Sequence, residues 1–158
     1  MTTLVYLLKL LSLSETSIRA KQATISIIEN GFIRILVDEE AEITRKDILE
    51  INEAKKKLAG NQPHIVLFIA PIHGNVTSEA RAAAASKEVC HNAIAKAIVT
   101  KSLAQRLVAN FFLRFNKPPV PTKLFSIEKE AMDWLKMMRK ANTSHINTIQ
   151  HRITETTG

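Results

Sequence analysis

His64-Ile-Val-Leu-Phe-Ile-Ala70, introduced by Pro63, is an unbroken apolar run of strand length. Apolar side chains at both odd and even positions are needed only where a strand is covered on both faces, as in the middle of a parallel sheet. Parallel pairing requires helical crossovers on either side of that strand. Both are legible. Upstream, Thr44 is a natural N-cap, Asp47 favours the first helical turn, and Ile48, Leu49, Ile51, Ala54 and Leu58 recur at helical spacing. Gly60-Asn61 supplies the stop, and Lys55, Lys56 and Lys57 complement the C-terminal dipole there without needing a ligand. Downstream, residues 71–76 read as a loop containing Gly74, and Thr77 or Ser78 caps an alanine-rich helix through Ser86.

The same alternation continues to both ends. Before the first helix, Thr24-Ile-Ser-Ile-Ile28 and Phe32-Ile-Arg-Ile-Leu-Val37 flank Asn30-Gly31, the strongest short hairpin signal. Further on, 93–100 (AIAKAIVT) is a fourth strand, and 102–115 is an amphipathic helix on which Leu103, Leu107, Phe111 and Phe115 share one stripe, expected to face the core. Asn116-Lys-Pro-Pro-Val-Pro121 breaks that helix, and 122–125 is a short fifth strand. Ser126 caps a last helix through about Arg139, with Ile127, Ala131, Trp134, Leu135 and Met138 inward. The expected fold class is therefore α/β: a mixed five-stranded sheet with an N-terminal hairpin, the other strands mainly parallel, and about four helices.

At 158 residues the chain suits one domain. Boundaries are expected at 1–21 for an apolar extension, 22–139 for the domain and 140–158 for a polar, flexible tail. The extension holds 4–13 (LVYLLKLLSL), about half the length that crosses a bilayer. The +7 net charge resides wholly in 96–158, which carries eleven Lys and Arg against four acids. Those cations are spread singly among core-spaced apolar residues, a pattern of a solvated face that disfavours nucleic acid as a partner.

The inventory of chemistry is thin. The glycines Gly31, Gly60, Gly74 and Gly158 never cluster into a phosphate loop, and the five histidines lack metal-ligand spacing. One cysteine, Cys90, excludes an internal disulfide framework and reads as a small buried thiol. No catalytic residue, cofactor or metal is expected, and the chain is not expected to be an enzyme. His73 remains a candidate because open α/β sheets bind ligands beyond strand C-terminal ends.

With this element order in place, the segment 93–135 resembles the SpoIIAA-like (STAS) superfamily. The resembling residues are Ala97-Ile98-Val99, the helix Arg106–Leu113, the linker Asn116–Thr122, and Lys123-Leu-Phe125 with Glu130-Ala131 and Trp134-Leu135. It is also similar to small STAS/SEC14-type proteins known from Bacteroidetes. The resemblance, over about 22–138, implies a SpoIIAA-like fold and a non-catalytic, cytoplasmic regulatory or protein-interaction module, with a protein partner or a second copy as the bound species. In the anti-sigma-factor antagonists of the family, a serine opening the helix after the third strand is phosphorylated. The matching stretch here, Gly74–Glu79, has Thr77 and Ser78 but lacks the Asp-Ser-Ser-Gly pattern, so both read as plain caps. The implied partner or phospho-switch rim is His73, Asn75, Thr77, Ser78 and Arg81 with Ser102 and Arg106. The alternative, an apolar-ligand or lipid carrier, rests on the phenylalanine-bearing helix, the apolar N-terminus and the SEC14-type analogy.

Overall fold

The run at 64–69 lies centrally in a six-stranded sheet. The computed structural model describes residues 16–29 and 31–156. Its elements are β1 (Ser17–Arg19), β2 (Ala23–Glu29), β3 (Phe32–Val37), β4 (Glu42–Ile43), α1 (Arg45–Ala59), β5 (His64–Ile69), β6 (Asn75–Val76), α2 (Ser78–Ala84), β7 (Ala93–Val99), α3 (Leu103–Asn116), β8 (Thr122–Phe125) and α4 (Glu128–Thr156). The main sheet runs β1-β2-β3-β5-β7-β8, with β1-β2 and β2-β3 antiparallel and the other pairs parallel. The α/β class and the hairpin hold; the sheet has six strands where five were expected.

The added strand is β1, which pairs Ser17, Ile18 and Arg19 with Ser26, Ile25 and Thr24. Three residues carry no periodicity to read; the backbone ladder and a forked Arg19–Asp38 pair (2.8 and 2.5 Å) hold the strand in place. Residues 17–19 therefore form an edge strand of the sheet, within the stretch that the sequence assigns to the extension. The apolar stretch at 4–13 lies outside the described residues. A second small sheet, absent from the sequence reading, pairs β4 with β6. It brings the 71–76 loop so close to Ala41 that a Cβ on Gly74 would sit 2.0 Å from the Ala41 carbonyl oxygen.

Strand alternation feeds two cores. Ile33, Ile35 and Val66 join Ile25, Ile48 and Ile51 on the face covered by α1; Phe32, Ile65 and Leu67 join Ala95, Ala97, Ala131 and Leu135 on the face covered by α4. The caps fall as the residue types require: Thr44 forms a capping box with Asp47, Gly60 ends α1 at φ +59°, and Thr77 and Ser102 cap α2 and α3.

Three expectations are corrected. Instead of ending at about Arg139, α4 continues helical to Thr156, because no Gly or Pro in 140–156 breaks it; Thr143, Ser144 and Thr148 satisfy their hydroxyls on carbonyls one turn earlier. Ile127, placed inward, is exposed. Most consequentially, Leu103, Leu107, Phe111 and Phe115 face solvent at 64–70 % exposure. The shorter face of α3, with Ala104, Val108 and Phe112, is the one turned to the sheet.

Candidate functional site

Ile48, Ile51, Asn52 and Lys55 recur at i, i+3, i+4 and i+7, so α1 points two polar side chains into its own apolar face. Alternation in β7 does the same to Lys96, between Ile94 and Ile98 and opposite Ala95 and Ala97. Asn52 is 2 % exposed and Lys55 4 % exposed. They meet at a cavity of 340 Å³ between the sheet and α1, α2 and α3. Its walls are Ile35, Val66 and Phe68 below, Ile48 and Ile51 on one side, and Val108, Phe112 and Leu113 on the other. Short side chains, Ala84 ending α2, Ala85 capping it, and Ala104 and Ala109 on α3, leave the space unfilled.

Polar groups in this cavity are few and of one charge sign. The Lys55 ammonium donates to the Val89 carbonyl, and the Lys96 ammonium donates to the Ala84 carbonyl at 2.6 Å with the Cys90 sulfur at 3.8 Å. Burial, reinforced by the neighbouring Lys96 charge, pushes the Lys55 pKa down to about 8; burial also lowers that of Lys96. Among the described residues no carboxylate lines the cavity. Both side-chain polar atoms of buried Asn52 lack a hydrogen-bond partner, as does Arg81 Nε.

Asn75, Ala104 and Val108 line the cavity and are themselves exposed, marking its mouth past α3; Asn52, Lys55, Val66 and Val89 are buried and mark its inner end. Behind Asn52 and Lys55 lies a smaller polar pocket of 210 Å³ bounded by His64, Glu88 and His91. The described residues include no cluster of three metal-ligating side chains, and no described helix is long and apolar enough to cross a membrane.

The rim expected from the sequence lies at the mouth. Gln105 Nε2 donates to the Pro71 and Gly74 carbonyls at 3.1 and 2.9 Å, tying the start of α3 to the loop bearing His73 and Asn75. Thr77 and Ser102 accept hydrogen bonds from the Ala80 and Gln105 amides, as caps do. Ser78 is exposed and donates to Glu79 at 3.0 Å. His73 is exposed, its amide bonded to the Glu39 carbonyl, and Arg106 is half-buried with its Nε unpartnered. Arg81 reaches deeper: it donates to the Val76 carbonyl and stands over the Phe112 ring, 5.5 Å from the centroid. Cys90 is buried and free while its sequence neighbour His91 is exposed.

Lys55, Asn52 and Lys96 escaped the sequence reading as site residues. The sequence places Lys55 with Lys56 and Lys57 at the helix end, where cations complement the dipole, yet only Lys56 and Lys57 are exposed there. The signal was present in their spacing: each occupies a core-facing position of its element.

A family model, "Domain of unknown function (DUF7793)", matches residues 26–139. The chain belongs to the DUF7793 family. That match takes in the whole cavity and the residues that carry the STAS resemblance. A solved structure from Shewanella loihica PV-4, described as an uncharacterised protein of the DUF3478 family with a SpoIIAA-like fold, is similar at 16 % identity and a TM-score of 0.48, over 75 % of this chain and 90 % of that one. No curated protein matches the DUF7793 chain.

Proposed function

We propose that this DUF7793 domain is a non-catalytic binding module whose cavity holds an apolar, chain-like ligand. The observation that carries the reading is the cavity itself. Its 340 Å³ falls within the range of small-molecule sites, its walls are overwhelmingly apolar, and only a few polar groups converge on it. A sheet and three helices of ordinary packing would fill such a space. Here small residues on α3 and at the end of α2 keep it open. The cavity supports the carrier alternative suggested by the sequence.

The test is thermal unfolding of the full chain with increasing 1-decanol. Binding to the folded state alone raises the melting temperature by mass action. Ala109→Trp, which puts an indole into the cavity from the α3 side, is expected to remove that rise. No rise in the unsubstituted chain, or an equal rise in the filled variant, would sink the reading.

The outer stripe of α3 favours a second reading, protein interaction. Leu103, Leu107, Phe111 and Phe115 form a contiguous exposed apolar row, with the two phenylalanine rings 4.5 Å apart. Arg106, Arg114, Lys101 and Lys117 accompany it, and α3 has no acidic residue. A second copy would set like charges together. The complementary occupant is a partner-protein helix with an apolar seam and acidic flanks. A synthetic leucine–glutamate amphipathic peptide should bind and its leucine–lysine counterpart should not; equal binding of both, or of neither, would refute this assignment.

A further inference from the structure

We infer that the inner end of the cavity is an anion site, and that its ligand is an amphiphile with a carboxylate head and a medium-length hydrocarbon tail. This rests on the binding-module reading above and names the ligand class that the same cavity selects.

Two ammonium groups, Lys55 from α1 and Lys96 from β7, project into an apolar space whose lining holds no carboxylate among the described residues. Each donates to one backbone carbonyl, Val89 or Ala84, and an ammonium has three donors, so hydrogen-bonding capacity remains on both. Asn52, one helical turn before Lys55 and 2 % exposed, has neither its amide nitrogen nor its carbonyl oxygen satisfied. Buried polar groups without partners are rare, and buried cations without counter-charges rarer. One carboxylate meets all three demands: its two oxygens accept from both ammoniums and from the Asn52 amide nitrogen, and its charge offsets theirs. The apolar walls running outward to Val108 and Phe112 then take a hydrocarbon tail.

The other charged and titratable groups around this end place no carboxylate on the cavity lining among the described residues. Arg81 lines it and adds a third positive charge; Cys90, off the lining, lies against Lys96 and offsets part of the burial effect on both lysines; Glu88, His64, His91 and Lys56 bound the neighbouring pocket, which Asn52 and Lys55 also line. Of these, Glu88 is the sole carboxylate.

Calorimetric titration of the full chain with decanoate and with 1-decanol separates the two levels of the proposal. Decanoate is expected to bind at least about tenfold tighter than decanol, since a hydrogen bond to a charged group is worth roughly that factor or more. Lys55→Met and Lys96→Met should each weaken decanoate more than decanol and so reduce the preference by about tenfold, and Asn52→Leu should weaken decanoate with both charges intact. The preference should also fall as pH rises through about 8 and Lys55 loses its proton. If one lysine variant fails to fold, the other lysine variant and the pH series still decide. Equal affinity for acid and alcohol, or a preference that survives both lysine substitutions and high pH, overturns the anion site and leaves the apolar cavity standing. Binding of neither overturns both.

Discussion

The guanidinium of Arg81 stands over the ring of Phe112, 5.5 Å from its centroid, and so joins α2 to α3 across the cavity. Neither helix packs heavily on the sheet at this point, and α3 has no buried residue. The contact therefore helps hold a helix whose inner face is mostly cavity wall. A double-mutant cycle of Arg81→Met and Phe112→Leu in urea denaturation should give a coupling of about 0.5–2 kcal/mol. Additive effects would show that the two side chains do not support each other.

Gln105 is the polar clamp of the same helix. It accepts from Thr100 at 2.8 Å and donates to the Pro71 and Gly74 carbonyls. Gln105→Leu strands those partners, at an expected cost of about 1–3 kcal/mol. Hydrogen exchange should quicken in α3 more than in α1 or α4, because loss of the clamp frees the start of α3 first.

Burial of Lys55 makes stability depend on pH with a definite sign. Its pKa is about 8 in the folded chain against 10.5 ordinarily. Between those values the unfolded chain binds more protons than the folded one, so unfolding free energy rises with pH across that window; below it both states are protonated and the burial penalty stands in full. The contribution is on the order of 3 kcal/mol. Lys55→Met should therefore stabilise the empty chain near neutral pH and flatten its pH dependence relative to the parent, measured by urea unfolding. Destabilisation by Lys55→Met would mean that the bond to the Val89 carbonyl outweighs the cost of burying the charge.

Glycine substitutions separate space from strain. At Gly74 an added Cβ meets the Ala41 backbone at 2.0 Å, so Gly74→Ala must part β4 from β6 and should cost about 2 kcal/mol or more. Gly60→Ala meets nothing within 4 Å and suffers only from its backbone, φ +59° and ψ −145°, a conformation close to glycine-only, for about 1–3 kcal/mol. Melting temperatures of both variants should fall, and hydrogen exchange at the β4–β6 pair should quicken only in Gly74→Ala.

Much of this architecture was legible in the chain because its local signals agree. The double-sided run at 64–69, the caps at Thr44, Thr77 and Ser102, and the breaker at Asn116–Pro121 all mark elements where the structure has them. What escaped was long-range. β1 is too short to carry a period, and the β4–β6 pair depends on a loop meeting a distant segment. The stripe on α3 has correct helical spacing, but spacing gives a face and not its direction. Ala104, Val108 and Phe112 form a second apolar face, and only tertiary placement selects between them. The site failed to show for the opposite reason. Asn52, Lys55 and Lys96 sit at core positions of clear patterns, and their polarity drew them toward the solvated surface instead.

The central claim is that the cavity beneath α3 takes up an apolar ligand. Methyl-resolved NMR of the full chain during titration with 1-decanol tests it most directly. The predicted result is saturable shifts at Ile35, Ile48, Val66 and Val108, which line the cavity, with Leu67, Val99 and Leu135 on the opposite face of the sheet unmoved. Shifts confined to Leu103 and Leu107 on the outer stripe, or none at all, would contradict it.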